Sequence, residues 1–428
     1  MEFPDRIDYK LGIDDIPFPR VFRARQVFPR ERIDNIEETV WRELGNADLP
    51  DLSGKRVALT AGSRGVANQA RILKAVADWL KKAGAKPFVV PGCGSHGGAT
   101  AEGQVEMIAG FGITEEYMEV PILSSMDVEQ IGTTQSGFPV YCDMNAIAAD
   151  FILPVHRIKA HTDFKGEIES GICKMLVIGL GKHKGASHIH NLGFSVFSSL
   201  IPEAAGVFFA TGKVLAGVGI VENAYDETML VEAIQTDRII EREKNLLRRS
   251  KEAMAKLYMD AIDVLVIEEI GKDVSGAGMD SNIVGHPASG EPGFDACPIK
   301  RISILGLSEQ SHGNGIGMGM ANVVTVDFMK QLDLAATYTN SITSRVIEGG
   351  RIPIVANSDK DAVTIALYCS MVADTTKARL VQIANTLRLD ELLLSEAYFP
   401  LVKSDARFEI LSDPEPLCFD VNGRLRRV

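Results

Sequence analysis

Apolar and polar positions first fall into a readable pattern at Lys55. Residues 55–60 (KRVALT) are a short apolar run bounded by charge and by a glycine turn, which predicts a buried strand. Ile72, Leu73, Val76, Trp79 and Leu80 then recur at helical spacing, and Gly84 closes that helix. Residues 86–92 (KPFVVPG) predict the next strand, GCGSHGGAT its loop, and Ala101 to Ala109 a second helix. Strand and helix alternating in this way predict a parallel sheet covered on both faces. Phe151 to Val155 predict a later strand, followed by a loop carrying His156 and His161. Ser170 to Leu180 is an apolar run with one lysine, readable as a buried helix or a strand. Asp226 to Tyr258 reads as a long, charge-rich helical connection. Ile262 to Ile267 opens a second strand series with glycine-rich loops at 271–278 and 313–319. Asp361 to Leu394 reads as largely helical, and short strands near Phe408 and Phe419 finish the chain.

The fold expected is α/β: two domains with mainly parallel sheets flanked by helices, and a site in the cleft between them. Residues 1–258 form the first domain and 259–428 the second. The stretch up to Asp51 is expected to wrap the first domain. A length of 428 residues suits two domains.

Composition narrows the function classes. Hydrophobic residues make up 46% and charged residues 24%, the balance of a globular protein with a large core. A net charge of -12 without any basic stretch argues against a nucleic-acid partner. Cys93, Cys142, Cys173, Cys297, Cys369 and Cys418 include no C-x-x-C pair, which disfavours zinc ribbons and suits a reducing cytoplasm. MEFPDRIDYK has no apolar signal core, and Ala204 to Val221, interrupted by Lys213, is a poor membrane span. A cytoplasmic enzyme without a membrane partner is expected.

Candidate chemistry concentrates in one region. Five of the eight histidines (His156, His161, His183, His188, His190) fall between positions 156 and 190, and His96 follows a strand, where open α/β sheets bind ligands. Such histidines serve as metal ligands, acid/base groups or surface residues. Arg64 in GSRGVAN suits an anion, although an ordinary tight turn explains the glycines nearly as well. Neither this loop nor GCGSHGG has the G-x-G-x-x-G spacing of a dinucleotide site. Lys174 interrupts an apolar run. It is either a lysine reaching solvent from a helix edge or one whose charge is removed by a covalent link.

Taken together, GSRGVAN, GSHGGATAEG, IKAHTDFKGEIESGICK and SHIHNLG resemble, in order, segments of the lactate racemase family, whose enzymes use a nickel-pincer nucleotide. GKDVSGAGMD and SHGNGIGMGMAN look like second-domain segments of its divergent members. The resemblance implies that His96 and His161 are the catalytic histidines and that Lys174 carries the cofactor covalently. It further implies that His190 is the nickel ligand, with His188 as fallback, and that Arg64 and Lys272 bind substrate. The implied reaction inverts C2 of a 2-hydroxy acid: a histidine takes the hydroxyl proton while hydride passes to the cofactor, and the keto acid turns before hydride returns. The implied partners are the small acid and the enzymes that make the cofactor.

Two departures bear on the substrate. Ala61 stands where the lactate enzymes carry an acidic residue, and the stretch from His161 to Lys174 is longer and holds Asp163, Glu167 and Glu169. A sugar acid is therefore expected ahead of lactate. The rival readings are a nicotinamide-dependent hydroxy-acid dehydrogenase, which lacks its glycine fingerprint here, and a non-catalytic nickel- or nucleotide-binding protein, which needs neither His96 nor His161.

Overall fold

A computed structural model describes residues 4–9, 13 and 16–428. Pro29–Met254 forms one compact unit, and the segment ending at Phe28 joins Ala255–Val428 in another.

In the first unit, strands Lys86–Gly92, Arg56–Gly62 and Phe151–Leu153 lie parallel in that order. Strand periodicity sends alternate side chains to opposite faces. Val57, Leu59 and Val89 therefore enter one core with Ile72, Val76 and Leu80 of the helix Gln69–Lys82. Ala58, Phe88, Val90 and Ile152 enter the other with Ile172, Leu176, Phe197 and Ile201. Both faces are covered, as a parallel sheet requires.

Several elements differ from the expectation. The run from Phe151 to Val155 breaks at Pro154 into Phe151–Leu153 and Val155–Arg157, and the second piece pairs in parallel with Ala216–Glu222 in another sheet. The expected connection from Asp226 begins as the strand Thr228–Gln235, antiparallel to Ala216–Glu222, and becomes helical only at Ile239–Ala253. Ser170 to Leu180 resolves as helix: Ile172–Lys174 leads through a π-helical turn at Met175–Gly179 towards the helix Lys182–His190.

In the second unit, Ile354–Ala356, Val323–Thr325, Ile299–Ile304, Ile262–Ile267 and Leu380–Ile383 lie parallel in that order. Glu391–Ser395, Arg20–Gln26 and Phe408–Ile410 extend the sheet with antiparallel pairing. The stretch read as helical through Leu394 is thus a helix only over Asp359–Cys369, followed by two strands. The strand Arg20–Gln26 corrects the expected wrapping of the first domain, since Val21 pairs with Ser395 and Ala24 with Ile410. No single helix among the described residues is long and apolar enough to cross a membrane.

Candidate active site

Two strand ends lie side by side in the first unit. Arg56–Gly62 and Lys86–Gly92 run parallel with Gly62 opposite Gly92, so the turns after them, carrying Ser63–Arg64 and Cys93–His96, are neighbours. Ser63 Oγ and His96 Nδ1 are 2.6 Å apart. The His96 loop docks on the Lys174 segment, where Gly94 N donates to Gly179 O at 3.1 Å. Gly94 has φ +58°, and a Cβ there would stand 3.2 Å from Ile178 O, so both its backbone conformation and the close approach favour glycine.

The Lys174 helix starts at Gly171 without a side-chain cap of its own. Glu243, from the helix Ile239–Ala253, supplies one: its Oε2 accepts from Cys173 N at 3.0 Å. A Cβ on Gly171 would run into Glu243 Oε1, so glycine is needed there to admit the carboxylate. Lys174 is half-buried, and among the described residues its amine has no hydrogen-bond or ion-pair partner. Burial lowers its pKa to about 8, with Arg64 and Lys159 pushing the same way and Asp163 opposing. Such an amine carries a far larger neutral, nucleophilic fraction near physiological pH than an ordinary lysine.

His161 and His190 both pack against one aromatic cluster. His161 lies 4.4 Å from the Phe164 ring centroid, and His190 lies 5.5 Å from Phe194 and 5.2 Å from Phe197. Burial, then the charge of Lys174, lowers the His190 pKa to about 4, and the same two causes lead in depressing His161. Both rings are therefore neutral at pH 7. Asp163 N donates to His161 Nδ1 at 3.0 Å, which leaves the proton of the neutral ring on Nε2. Asp163 Oδ2, 3.8 Å from Nδ1, is placed to favour the imidazolium once the ring is protonated. The main chain of His161 is held by buried Glu169, whose Oε2 accepts from His161 N at 2.7 Å and whose Oε1 meets Lys251 Nζ at 2.6 Å.

Arg64 is exposed and without a hydrogen-bond or ion-pair partner among the described residues. It lies within charge range of Arg157 and Asp163. His156, unassigned from sequence, packs beneath Gly62, where an added Cβ would meet its ring at 3.0 Å. Burial, then Lys174, lowers its pKa to about 3. The arrangement thus gathers Arg64, His156, His161 and His190 around the Lys174 amine, with Asp163 as the near carboxylate, while His96 meets Ser63 next to Arg64.

The other candidates have surroundings of their own. His188 is exposed, bonded through Nδ1 to Lys184 O at 2.9 Å and 5.4 Å from the Tyr141 ring. His183 is also exposed. Lys184 sits over the Tyr141 ring, while Lys182 is fully buried beside Asp143. Lys272 belongs to the second unit, where it donates to Gly276 O at 2.7 Å and Asn340 Oδ1 at 3.0 Å. His286 bonds Met320 O at 3.1 Å in that unit, and His312 is exposed there. Among the described residues, no group of three or more His, Cys, Asp or Glu side chains is placed to hold a metal ion.

Residues 10–199 match the family described as the lactate racemase N-terminal domain. Among solved structures, the lactate racemase apoprotein from Thermoanaerobacterium thermosaccharolyticum resembles 89% of this chain and 96% of its own, at 15% identity and a TM-score of 0.54. A Thermotoga maritima protein resembles 73% of this chain and 81% of its own, at 14% identity and a TM-score of 0.46. The former likeness is one of fold. No curated protein sequence matches the chain.

Proposed function

Starting from the match of residues 10–199 to the lactate racemase N-terminal domain, we propose that this chain inverts the C2 stereocentre of a 2-hydroxy acid with a nickel-pincer nucleotide on Lys174. The observation that carries the proposal is the Lys174 amine. It is half-buried, unpartnered among the described residues, lowered to about pH 8, and close enough to His156, His161 and His190 to depress each of them.

The residues present fit that cofactor. A neutral amine is the form that acylates, and a neutral imidazole at His190, with no hydrogen-bond partner among the described residues, has a lone pair for a borderline metal such as nickel. A single protein imidazole suffices where the organic group supplies the remaining ligands, so the absence of a wider metal cluster does not count against it. When bound, the cofactor would supply a reversible acceptor for hydride, which avoids removing a proton alpha to an ionised carboxylate.

The chain's own residues then account for the remaining tasks. Arg64 binds the substrate carboxylate through its planar fork. His96 takes the hydroxyl proton when its Nδ1–H donates to Ser63 Oγ, because that tautomer leaves Nε2 unprotonated. The minority protonated form of His161, favoured by Asp163 Oδ2 at 3.8 Å, returns a proton to the oxygen on the other side. The two histidines exchange roles for the opposite enantiomer. Ser63, Lys159 and Asp163 line the same region and suit a substrate with additional hydroxyls, in keeping with a sugar acid. The cofactor would come from dedicated biosynthetic enzymes, and the six unpaired cysteines suit a cytoplasmic setting.

The test is intact-mass and nickel analysis of the chain produced with the cofactor's biosynthetic enzymes, beside Lys174→Ala. Wild type should gain the adduct and nickel, and the variant neither. An equal adduct on Lys174→Ala would overturn the assignment. Chiral chromatography of lactate, malate and sugar acids after incubation with loaded enzyme tests the substrate. Faster conversion of lactate than of every sugar acid would defeat that part.

A further inference from the structure

Beneath the His96 loop lies a set of polar side chains that the proposed chemistry leaves unused. Lys182, Gln104 and Asp143 are each 0% exposed. Lys182 stands midway in sequence between Lys174 and His190. Its Nζ donates to Pro91 O and, at 2.8 Å, to Gln104 Oε1, and it lies 3.4 Å from Asp143 Oδ2. Gln104 Nε2 donates in turn to Gly94 O at 2.9 Å and His96 O at 3.3 Å. Asp143 N donates to Leu180 O at 2.7 Å, and Asp143 Oδ1 accepts from Asn145 N and Ala146 N at 2.8 and 2.9 Å.

The geometry points to Lys182 and Gln104 as a buried clamp that sets the His96 main chain against the Lys174 segment. One ammonium ties together the strand end before His96, the helix Ala101–Ala109 after it, and the turn that separates Lys174 from His190. The polarity is self-consistent. Lys182 has only donors, so it selects the carbonyl oxygen of Gln104 and turns the amide NH2 towards the two loop carbonyls. The reversed amide would set a donor against the ammonium and an acceptor against two acceptors. Hydrogen bonds to a charged donor are the stronger kind, which makes this orientation firm. Both are positioning residues, and their functional weight rests on the role proposed for His96.

Gln104→Glu separates the clamp from general stability. The carboxylate keeps an acceptor for Lys182 but turns its second oxygen on Gly94 O and His96 O. In the full chain, hydrogen exchange over residues 93–103 should quicken on the order of tenfold, the loss of about one net hydrogen bond. The His96 ring signals, assigned by their loss in His96→Asn, should titrate at a shifted pH, while those of His286 hold. Lys182→Met combined with Asp143→Asn, which removes both charges together, should quicken exchange in the same segment. Unchanged exchange and His96 titration in both variants would overturn the clamp. Interconversion by the cofactor-loaded chain then tests the underlying reading separately. Loosened exchange with a fall in turnover supports both, whereas loosened exchange at full turnover keeps the clamp and removes His96 from the proposed chemistry.

Discussion

Glu243→Gln should flatten the pH dependence of folding stability while leaving the Lys174 helix in place. Glu243 is 1% exposed, and its Oε1 has no hydrogen-bond partner among the described residues. Burial raises its pKa from 4.5 to about 7, against the opposing pull of hydrogen bonds from Cys173 and Ile172. Between those values the folded chain keeps a proton that the unfolded chain has released. The stabilisation from that proton is complete below about pH 4.5 and is lost as pH rises through 7. At about 1.4 kcal/mol per pH unit, the span corresponds to roughly 3 kcal/mol. Urea denaturation at a series of pH values from about 5 to 8.5 should show a loss of that order for wild type beyond the trend of Glu243→Gln. The amide stays neutral throughout and still offers Cys173 N an acceptor. A variant whose stability falls with pH as steeply as wild type would refute the reasoning, because some other group would then carry the titration.

Three further outcomes are expected. Acylation of Lys174 by a small amine reagent, read by peptide mass spectrometry, should be half-maximal near pH 8, and Asp163→Asn should lower that midpoint because the Asp163 carboxylate favours the ammonium. Arg64→Lys should raise KM for the acid about tenfold to a hundredfold in steady-state kinetics, since a point charge replaces a bidentate fork. Phe197→Ala, which empties a buried position 5.2 Å from His190 and 5.3 Å from Phe164, should cost roughly 3–5 kcal/mol by denaturation and loosen nickel retention.

Local pattern carried the first unit well and the long-range pairings poorly. Residues 55–60 and 86–92 alternate between two cores, so their strand character is written in their own side chains, and Thr100 caps the helix Ala101–Ala109 from the adjacent position. By contrast, the strands Leu380–Ile383 and Glu391–Ser395 are only four and five residues long, too short for period alone to separate strand from helix. Arg20–Gln26 finds its partners near the other end of the chain, and nothing local encodes that pairing. Thr228–Gln235 was lost in the charges that follow it, because the helix Ile239–Ala253 dominates any window spanning both.

The candidate site was legible as a list of residues and illegible as a constellation, for a related reason. His188 and His190 differ by two positions, which on a helix turns them by roughly 200° to opposite sides. One therefore meets Tyr141 and the other Phe197, a distinction that spacing cannot make until the run is known to be helical. The most distant supporting groups had no local signal, since Glu243 reaches Cys173 across 70 positions and Lys182 reaches Gln104 across 78. Yet these groups follow one rule. Glu243 holds the Lys174 helix, Glu169 holds the His161 main chain, and Lys182 with Gln104 holds the His96 loop, each from the buried side. Buried charges such as Glu169 with Lys251 and Lys182 with Asp143 add little net stability when paired and cost several kcal/mol when a partner is removed. A site whose three segments come from distant parts of the chain gains from such groups a single register, because a slip leaves a charge, or at Glu243 a buried hydrogen-bonding group, without its partner.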